Sequence, residues 1–339
     1  MGATPGRYAR QELFLGTEVQ GRLQAATAVV VGCGALGCTA ATILARAGVG
    51  RLRLIDRDYV DLVNLHRQIL FDEEDVRAVL PKAVAAAAHL ARANSTIAIE
   101  ACFEDFTAGS AQHLCAGADV IVDALDNFEG RFLLNDLAVK LGVPWIYGAA
   151  VGSYGLAMAV LPGEGPCLRC LQEEEPPPGT TPTCDTAGIV ASAPIIVASL
   201  QAAEALKLLG GRRDLVTRQL IAIDLWPGTV QAIAVKRHEA CPCCGARRFE
   251  YLEGERRPPA ISLCGRNAVQ IAAPASGTID LDVVAAQLGT TGEVTRNEYL
   301  VRAEIEGFQL TVFRDGRAIV VGTQDPAVAR GLYARYVGA

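Results

Sequence analysis

The chain has 339 residues, 51% hydrophobic and 20% charged, with a formal net charge of −6 and a pI near 5.4. That length suits one large α/β domain with an appendage, or two domains, and the acidic balance argues against broad nucleic-acid binding. No charge-free apolar run is long enough to span a bilayer, because the longest candidate, residues 191–209, is interrupted by Gln201, Glu204 and Lys207.

The N-terminus carries no apolar signal segment, so a cytoplasmic location is expected. Eleven cysteines in such a chain point to metal, catalysis or small buried side chains rather than disulfides. Residues 7–27 open with Arg7-Tyr8-Ala9-Arg10-Gln11, read as surface, and continue as one amphipathic helix. A buried apolar strand over 28–31 runs into Gly32-Cys33-Gly34-Ala35-Leu36-Gly37 and then a helix to Ala47. Glycines there allow backbone angles closed to side chains and let a phosphate rest on N–H groups at a helix N-terminus. After a second strand, 51–55, Asp56 stands where an acid would take ribose hydroxyls. Strand, loop, helix and acid together read as a nucleotide site; the alternative is a tight turn with no ligand.

Residues 58–68 form a polar connection without a clear period, and such connections are often functional. Leu80-Pro81-Lys82 opens an Ala-rich helix to Ala93, with Lys82 where a cation opposes the helix dipole. That placement suggests an anionic ligand; the alternative is a solvated lysine. Residues 96–101 read as a strand, 110–114 as part of a short helix and 118–124 as a buried strand. Leu125-Asp126-Asn127 follows, then a helix over 129–141. Ligands of doubly wound sheets collect at the carboxyl ends of strands, which puts Asp126 on the edge of the glycine loop. A strand over 144–149 leads into an antiparallel ribbon over 152–160.

Cys167-Leu168-Arg169-Cys170 and Cys241-Pro242-Cys243-Cys244 are two C-x-x-C pairs. Four thiolates satisfy zinc fully, so Cys167, Cys170, Cys241 and Cys244 read as a structural zinc site; the alternative is two unrelated pairs. Cys243 is an extra thiol, a bystander or a competitor. Between the pairs lie a Glu/Pro/Thr-rich loop to residue 183, Cys184-Asp185-Thr186-Ala187-Gly188, a largely apolar helix over 193–209 read as buried, and a strand pair over 220–235. Cys38, Cys102, Cys115 and Cys264 read as core fillers. The reading divides the chain into a domain over 1–252, a Pro-containing linker over 253–259 and a small α+β module over 260–339. That module is expected to hold a strand over 268–272, a helix over 281–288, three strands and a closing helix over 326–336.

Together these motifs resemble the family of ThiF, MoeB and HesA, bacterial relatives of ubiquitin-activating enzymes. The resemblance covers residues 7 to about 250 and rests on Arg7-Tyr8-x-Arg10-Gln11, the glycine loop, Asp56-x-Asp58, Asn64-Leu65-x-Arg67-Gln68, Pro81-Lys82, Asp126-Asn127 and both cysteine pairs. Cys184 to Gly188 and residues 263–267 resemble the longer ThiF type of thiamine thiazole synthesis. His66 and Cys33 depart from the pattern without removing a group that the chemistry needs. The resemblance implies an α/β fold with a doubly wound, mostly parallel Rossmann-like sheet and an antiparallel extension. It implies ATP on Gly32, Gly34 and Gly37 with Asp56 on the ribose; Asn64, Arg67 and Lys82 on the phosphates; Mg²⁺ on Asp126; and structural Zn²⁺. Arg10 would reach a neighbouring subunit's site, making a homodimer. The implied substrate is the Gly-Gly carboxylate of a small ubiquitin-like sulfur carrier, which becomes an acyl-adenylate and then takes sulfur from a persulfide donor of the cysteine desulfurase type. In this family Cys184 would be an acyl-linking cysteine or a purely positional one.

Other functions remain open from residues alone. The same chemistry could serve the molybdopterin-synthase carrier. An NAD-dependent dehydrogenase would share the glycine loop and Asp56 but gives no task to Lys82, Arg67 and Asp126. A non-catalytic scaffold for a ubiquitin-like partner would not need Arg10, Lys82 and Asp126. A ThiF-like dehydratase acting on tRNA would want a basic stripe that this chain lacks.

Overall fold

The computed structural model describes residues 6–177, 180–254, 262–263, 267–271, 279–290 and 292–338. The chain separates into two compact units, residues 1–256 and 257–339.

The first unit begins with two helices, α1 (Ala9–Leu15) and α2 (Thr17–Ala25), where one was expected. The break is Gly16, whose φ of +88° disfavours any side chain. Nor is the opening motif all surface. The Tyr8 ring lies where a Cβ on Gly48 would come within 2.5 Å of it, and the Tyr8 hydroxyl accepts from Asn94 Nδ2 at 2.8 Å. Gln11 Nε2 donates to the Ala47 carbonyl at 2.8 Å, and Arg7 Nη1 to the Ala93 carbonyl at 2.9 Å. Those contacts anchor α1, while Arg10 stands exposed on it.

Then follow β1 (Thr27–Val31), α3 (Ala35–Ala47), β2 (Arg51–Ile55), α4 (Glu73–Arg77), α5 (Lys82–Ala93), β3 (Ala98–Cys102), α6 (Ala111–Leu114), β4 (Val120–Asp123), α7 (Phe128–Leu141), β5 (Trp145–Val151) and β6 (Tyr154–Val160). The unit continues with α8 (Leu168–Leu171), α9 (Cys184–Ala187), α10 (Ser192–Leu209), β7 (Leu220–Asp224) and β8 (Thr229–Ile233). The strands make one sheet in the order β3-β2-β1-β4-β5-β6-β7-β8. Pairing is parallel from β3 to β5 and antiparallel beyond. Val29, Val30 and Val31 of β1 are fully buried because both faces are covered. Ala40, Leu44, Ala86, Leu90 and Val197 pack on one face; Phe132, Leu134, Leu137 and the cysteine pairs pack on the other.

Helix α10 is only partly the buried rod expected of it. Val197, Ala198, Ala202 and Ala205 are interior, whereas Ile196 is exposed. Its length and composition would let it cross a membrane, but here Gln201 Nε2 ties it to the sheet through the carbonyls of Asp123 (2.6 Å) and Ile146 (3.0 Å). Cys38 and Cys115 are core residues, but Cys102 is only part-buried at a strand end and donates to Glu100. Cys264 lies outside the described residues.

The second unit contains β9 (Ser262–Leu263), β10 (Ala268–Ile271), α11 (Leu281–Leu288), β11 (Val294–Arg296), β12 (Leu300–Ile305), β13 (Phe308–Phe313), β14 (Ala318–Val321) and α12 (Pro326–Tyr336). Its antiparallel sheet has the order β11-β12-β13-β14-β10-β9. Four strands, not three, follow α11, because Asn297 Oδ1 accepts from the N–H groups of Tyr299 (2.9 Å) and Leu300 (3.0 Å) and turns β11 back onto β12. Val284, Leu288, Val301, Val312, Val320 and Leu332 form its core. Residues 264–266 of the quoted tail motif and 255–259 of the expected linker lie outside the described residues.

Candidate active site

The site begins at the carboxyl ends of β1, β2 and β4, where the sheet order reverses around β1. The three glycines of the loop differ. A Cβ on Gly32, whose φ is +99°, would sit 2.4 Å from the Ala124 carbonyl oxygen. A Cβ on Gly37 would sit 2.0 Å from the Gly32 carbonyl oxygen. Both are glycine because protein backbone occupies the space. Around a Cβ on Gly34 only Gln68 Nε2 comes within 4 Å, at 3.9 Å. Gly34 also caps α3 without a side-chain hydrogen bond. An uncapped helix N-terminus beside unfilled space is what a phosphate requires.

Asp56 holds this loop in shape. Its Oδ2 accepts from the Cys33 N–H at 2.6 Å and its Oδ1 from the Asp58 N–H at 2.7 Å. Burial pushes its carboxyl above the ordinary value, and Lys82 opposes that shift. Lys82 is buried, not solvated, and its Nζ lies 3.1 Å from Asp58 Oδ2. Asn64 is buried at the end of the one-turn helix Leu62–Asn64, and its Oδ1 accepts from Arg67 Nη2 at 2.6 Å. Gln68, the last residue of the same motif, is the side chain beside Gly34. The contacts therefore run from the loop to Asp56, Asp58 and Lys82 on one side, and to Gln68, with Arg67 and Asn64 on the same segment, on the other.

Asp126 follows the Ala124 carbonyl that meets Gly32, and it is exposed, with Asn127 Nδ2 donating to its Oδ1 at 3.2 Å. Asn127 also caps α7 by accepting from the Gly130 N–H at 2.8 Å. Beneath this turn lies a pair that sequence reasoning missed. Arg131 Nε is 3.3 Å from the fully buried Asp123 Oδ2, and Arg131 Nη2 donates to the carbonyls of Leu125 (2.6 Å) and Gly148 (3.1 Å). Burial raises the Asp123 carboxyl, against the pull of Arg131. Only a charged residue at both a strand end and the next helix's first turn could have signalled this brace. Arg57, bonded to both oxygens of Asp105 at 3.1 Å, was missed for the same reason. One exposed carboxylate suits Mg²⁺, which takes one or two carboxylates and completes its shell with phosphates and water.

Cys33 and Cys38 are buried beneath the loop. Burial holds the Cys33 thiol well up and pushes Cys38 up to about 12, so neither is a nucleophile at neutral pH. Cys184 begins α9, part-buried, with its sulfur 3.6 Å from the Ala150 carbonyl at the end of β5. It therefore shares the sheet edge used by the glycine loop.

The cysteine pairs meet on the far face. Cys167 Sγ is 3.6 Å from Cys241 Sγ and Cys170 Sγ 3.4 Å from Cys244 Sγ, and all four sulfurs lie within 4.8 Å of one another. Zinc–sulfur bonds of about 2.3 Å give tetrahedral edges of about 3.8 Å, so the donor set fits Zn²⁺. Cys243 stands outside this group, its sulfur accepting from Asn135 Nδ2 at 3.2 Å, while Asn135 Oδ1 accepts from the Leu168 N–H at 2.9 Å.

The model of the ThiF family matches residues 8–243. The chain is 45% identical over 339 residues to the sulfur carrier protein ThiS adenylyltransferase of Bacillus subtilis, covering 98% of this chain and 99% of the relative. It is 41% identical over 246 residues to the sulfur carrier protein adenylyltransferase of Thermus thermophilus, covering 70% of this chain and 90% of that one. A crystal structure of E. coli MccB with ATP superposes with a TM-score of 0.62 at 25% identity, covering 71% of this chain and 75% of that chain. A family model over more than half the chain and a relative matched over its full length leave one assignment: the chain belongs to the ThiF family.

Proposed function

We propose that this chain is an ATP-dependent adenylyltransferase acting on the C-terminal Gly-Gly carboxylate of a small ubiquitin-like sulfur carrier, with thiamine thiazole sulfur transfer as its pathway. The observation that carries the reading is Gly34, the loop glycine around which only Gln68 Nε2 comes within 4 Å, beside an uncapped helix N-terminus and linked by hydrogen bonds and contacts to the segments that carry Lys82 and Arg67. The full-length match to a ThiS adenylyltransferase supports it.

The triphosphate lies along the loop, and the Asp56 carboxylate, beyond the two N–H groups that it holds, accepts from a ribose hydroxyl. Lys82 supplies a point charge and Arg67 a planar fork to the phosphate oxygens, and Asn64 holds Arg67 in place. A carrier carboxylate oxygen attacks the α-phosphorus, the bond to the β-phosphate breaks, and pyrophosphate leaves. The carboxylate is already a nucleophile, so no general base is needed. The difficulty is bringing two anions together, and fixed cations lower that cost. Asp126 would hold Mg²⁺, which when bound neutralises phosphate charge. Cys167, Cys170, Cys241 and Cys244 would hold Zn²⁺ as a closed structural site. Four thiolates persist in a reducing compartment, which supports a cytoplasmic setting. The acyl-adenylate then awaits sulfur from a persulfide donor of the cysteine desulfurase type.

Pyrophosphate exchange into ATP tests the reading: it should require both Mg²⁺ and a Gly-Gly-ended carrier. Asp126→Ala should lower it by about 10²–10³-fold; full exchange in that variant removes Asp126 from the chemistry. Preference for NAD over ATP in a fluorescence titration would overturn the assignment.

A homodimer with Arg10 reaching the neighbour's site fits an exposed arginine on a helix that also exposes Leu13 and Phe14, at 88% and 89%. Arg10→Ala and Lys82→Ala should each be inactive, yet mixing them after subunit exchange should restore about a quarter of the activity, because one site in each mixed dimer is intact. No recovery despite exchange would place Arg10 within its own subunit or outside the mechanism.

A further inference from the structure

Lys82 is a buried cation in an unfavourable position. Its side chain is 5% exposed, it is the first residue of α5, and Pro81 gives that helix no side-chain cap. Loss of water and the positive end of the helix dipole both oppose an ammonium there. A carboxylate that offsets this is Asp58, through Oδ2 at 3.1 Å, with the Asp56 charge close by.

The two segments are joined independently of this pair. The Lys82 N–H donates to the Asp58 carbonyl at 2.8 Å, the Val60 N–H donates to the Leu80 carbonyl at 2.8 Å, and Tyr59 bridges Pro81 in antiparallel fashion. The Asp58 N–H donates to Asp56, which in turn holds the Cys33 N–H of the glycine loop. Backbone contacts thus fix where Asp58 stands relative to the loop, and its carboxylate faces Lys82.

We propose that Asp58 is a positioning residue for Lys82: it holds the buried ammonium in one place beside the glycine loop, so that the cation is preset before the triphosphate arrives. The inference rests on the reading that Lys82 grips ATP. In this role Asp58 acts through Lys82. Its contribution is spent before chemistry, so it belongs in the affinity for ATP rather than in the rate at saturation.

The experiment is a double-mutant cycle on the full chain. It uses Asp58→Asn, Asp58→Glu, Lys82→Ala and the combinations, read by ATP titration without carrier and by KM and kcat in pyrophosphate exchange. Asp58→Asn should raise the ATP KM about tenfold, leave the carrier KM within about twofold, and be largely rescued by Asp58→Glu. On the Lys82→Ala background, where only the ATP titration reads, the same change should cost less than about twofold in ATP affinity, because nothing remains to be positioned. An equal penalty on both backgrounds, or an unchanged ATP KM, overturns the proposal. If Lys82→Ala binds ATP like the wild type, the phosphate-gripping reading fails first and takes this inference with it. Should Asp58→Asn not fold, Asp58→Ser, which also removes the carboxylate, measured on both backgrounds reads the same coupling.

Discussion

At the cysteine knuckle four sulfurs lie within 4.8 Å of one another and backbone N–H groups turn toward them, the His238 N–H reaching Cys170 Sγ at 3.5 Å. At the glycine edge the arrangement is the reverse. A helix N-terminus has no cap, one glycine borders unfilled space, and cations are held by acids they must share with an incoming anion. A closed donor set satisfies a metal fully and leaves nothing to react, whereas an incomplete site invites a ligand. The two regions share one helix. The first turn of α7 carries the Asn127 cap beside Asp126, and its middle carries Asn135 and Asp136, which bond Cys243, the Leu168 N–H and the Tyr251 N–H. The knuckle is therefore a brace for the edge from behind.

The largest way to break this contrast is to remove the metal. Chelation should release one zinc per chain and destabilise the first unit by several kcal/mol, since metal binding to a set of four thiolates is folding free energy. Metal content by emission spectroscopy and thermal melting before and after chelation check it. A melt unmoved by complete zinc loss would mean that the knuckle stands on packing alone.

The glycines sharpen the contrast within one loop. Gly32→Ala forces a Cβ against the Ala124 carbonyl at a positive φ, so it should destabilise by about 3 kcal/mol or more by denaturant titration. Gly34→Ala meets no protein atom closer than 3.9 Å, so its stability should change by less than about 1 kcal/mol. ATP affinity should nevertheless fall about tenfold or more, because the methyl takes the phosphate's space. Equal stability losses at both positions would deny that Gly34 is reserved for a ligand.

How far the residues foretold this can be argued position by position. The β2 strand was legible to its last residue because five apolar-alternating residues lie between a glycine and an acid. The start of α5 was legible because a proline marks a helix beginning, although Pro81 stands just before the first helical residue, Lys82, and not within the first turn. The break at Gly16 was not, since its positive φ is set by packing that brings Tyr8 onto Gly48 and Gln11 onto Ala47. Lys82 and Asp126 were legible at a helix start and a strand end, and the resemblance added Arg67 and the roles, but neither reported the pairings that hold them. Asp58 stands 24 positions from Lys82 and Asp105 stands 48 from Arg57, separations that no local pattern reports. Asp123 and Arg131 escaped notice because a buried ion pair carries no periodic signature.

A smaller effect is expected where the two regions meet. Asn135 is fully buried, and both ends of its amide are engaged, by Cys243 Sγ and by the Leu168 N–H. Asn135→Ala would orphan the Leu168 N–H at the mouth of Cys167 and should cost about 2 kcal/mol in denaturant titration. ATP affinity should stay within about twofold, since no nucleotide contact is removed. A loss of ATP binding without a loss of stability would mean that α7 transmits more than support.

The smallest expected effect on adenylation is at Cys184. Its sulfur sits 3.6 Å from the Ala150 carbonyl at the end of β5, on the sheet edge of the glycine loop, after a segment rich in Pro and Thr. Adenylation itself uses only a carboxylate, a phosphorus and fixed cations, so Cys184→Ser should leave pyrophosphate exchange within about twofold of wild type. The comparison with the knuckle gives this prediction its edge. There each thiol has three others as neighbours, and replacing one removes a ligand from the proposed zinc site. Cys184 is not among the four sulfurs, and any function it has must come after the adenylate. If it forms an acyl link to the carrier, Cys184→Ser will make adenylate normally but yield less thiocarboxylate, read as the mass of the intact carrier. An unchanged thiocarboxylate yield would make the cysteine purely positional, and lost exchange would mean that its short helix shapes the nucleotide edge itself.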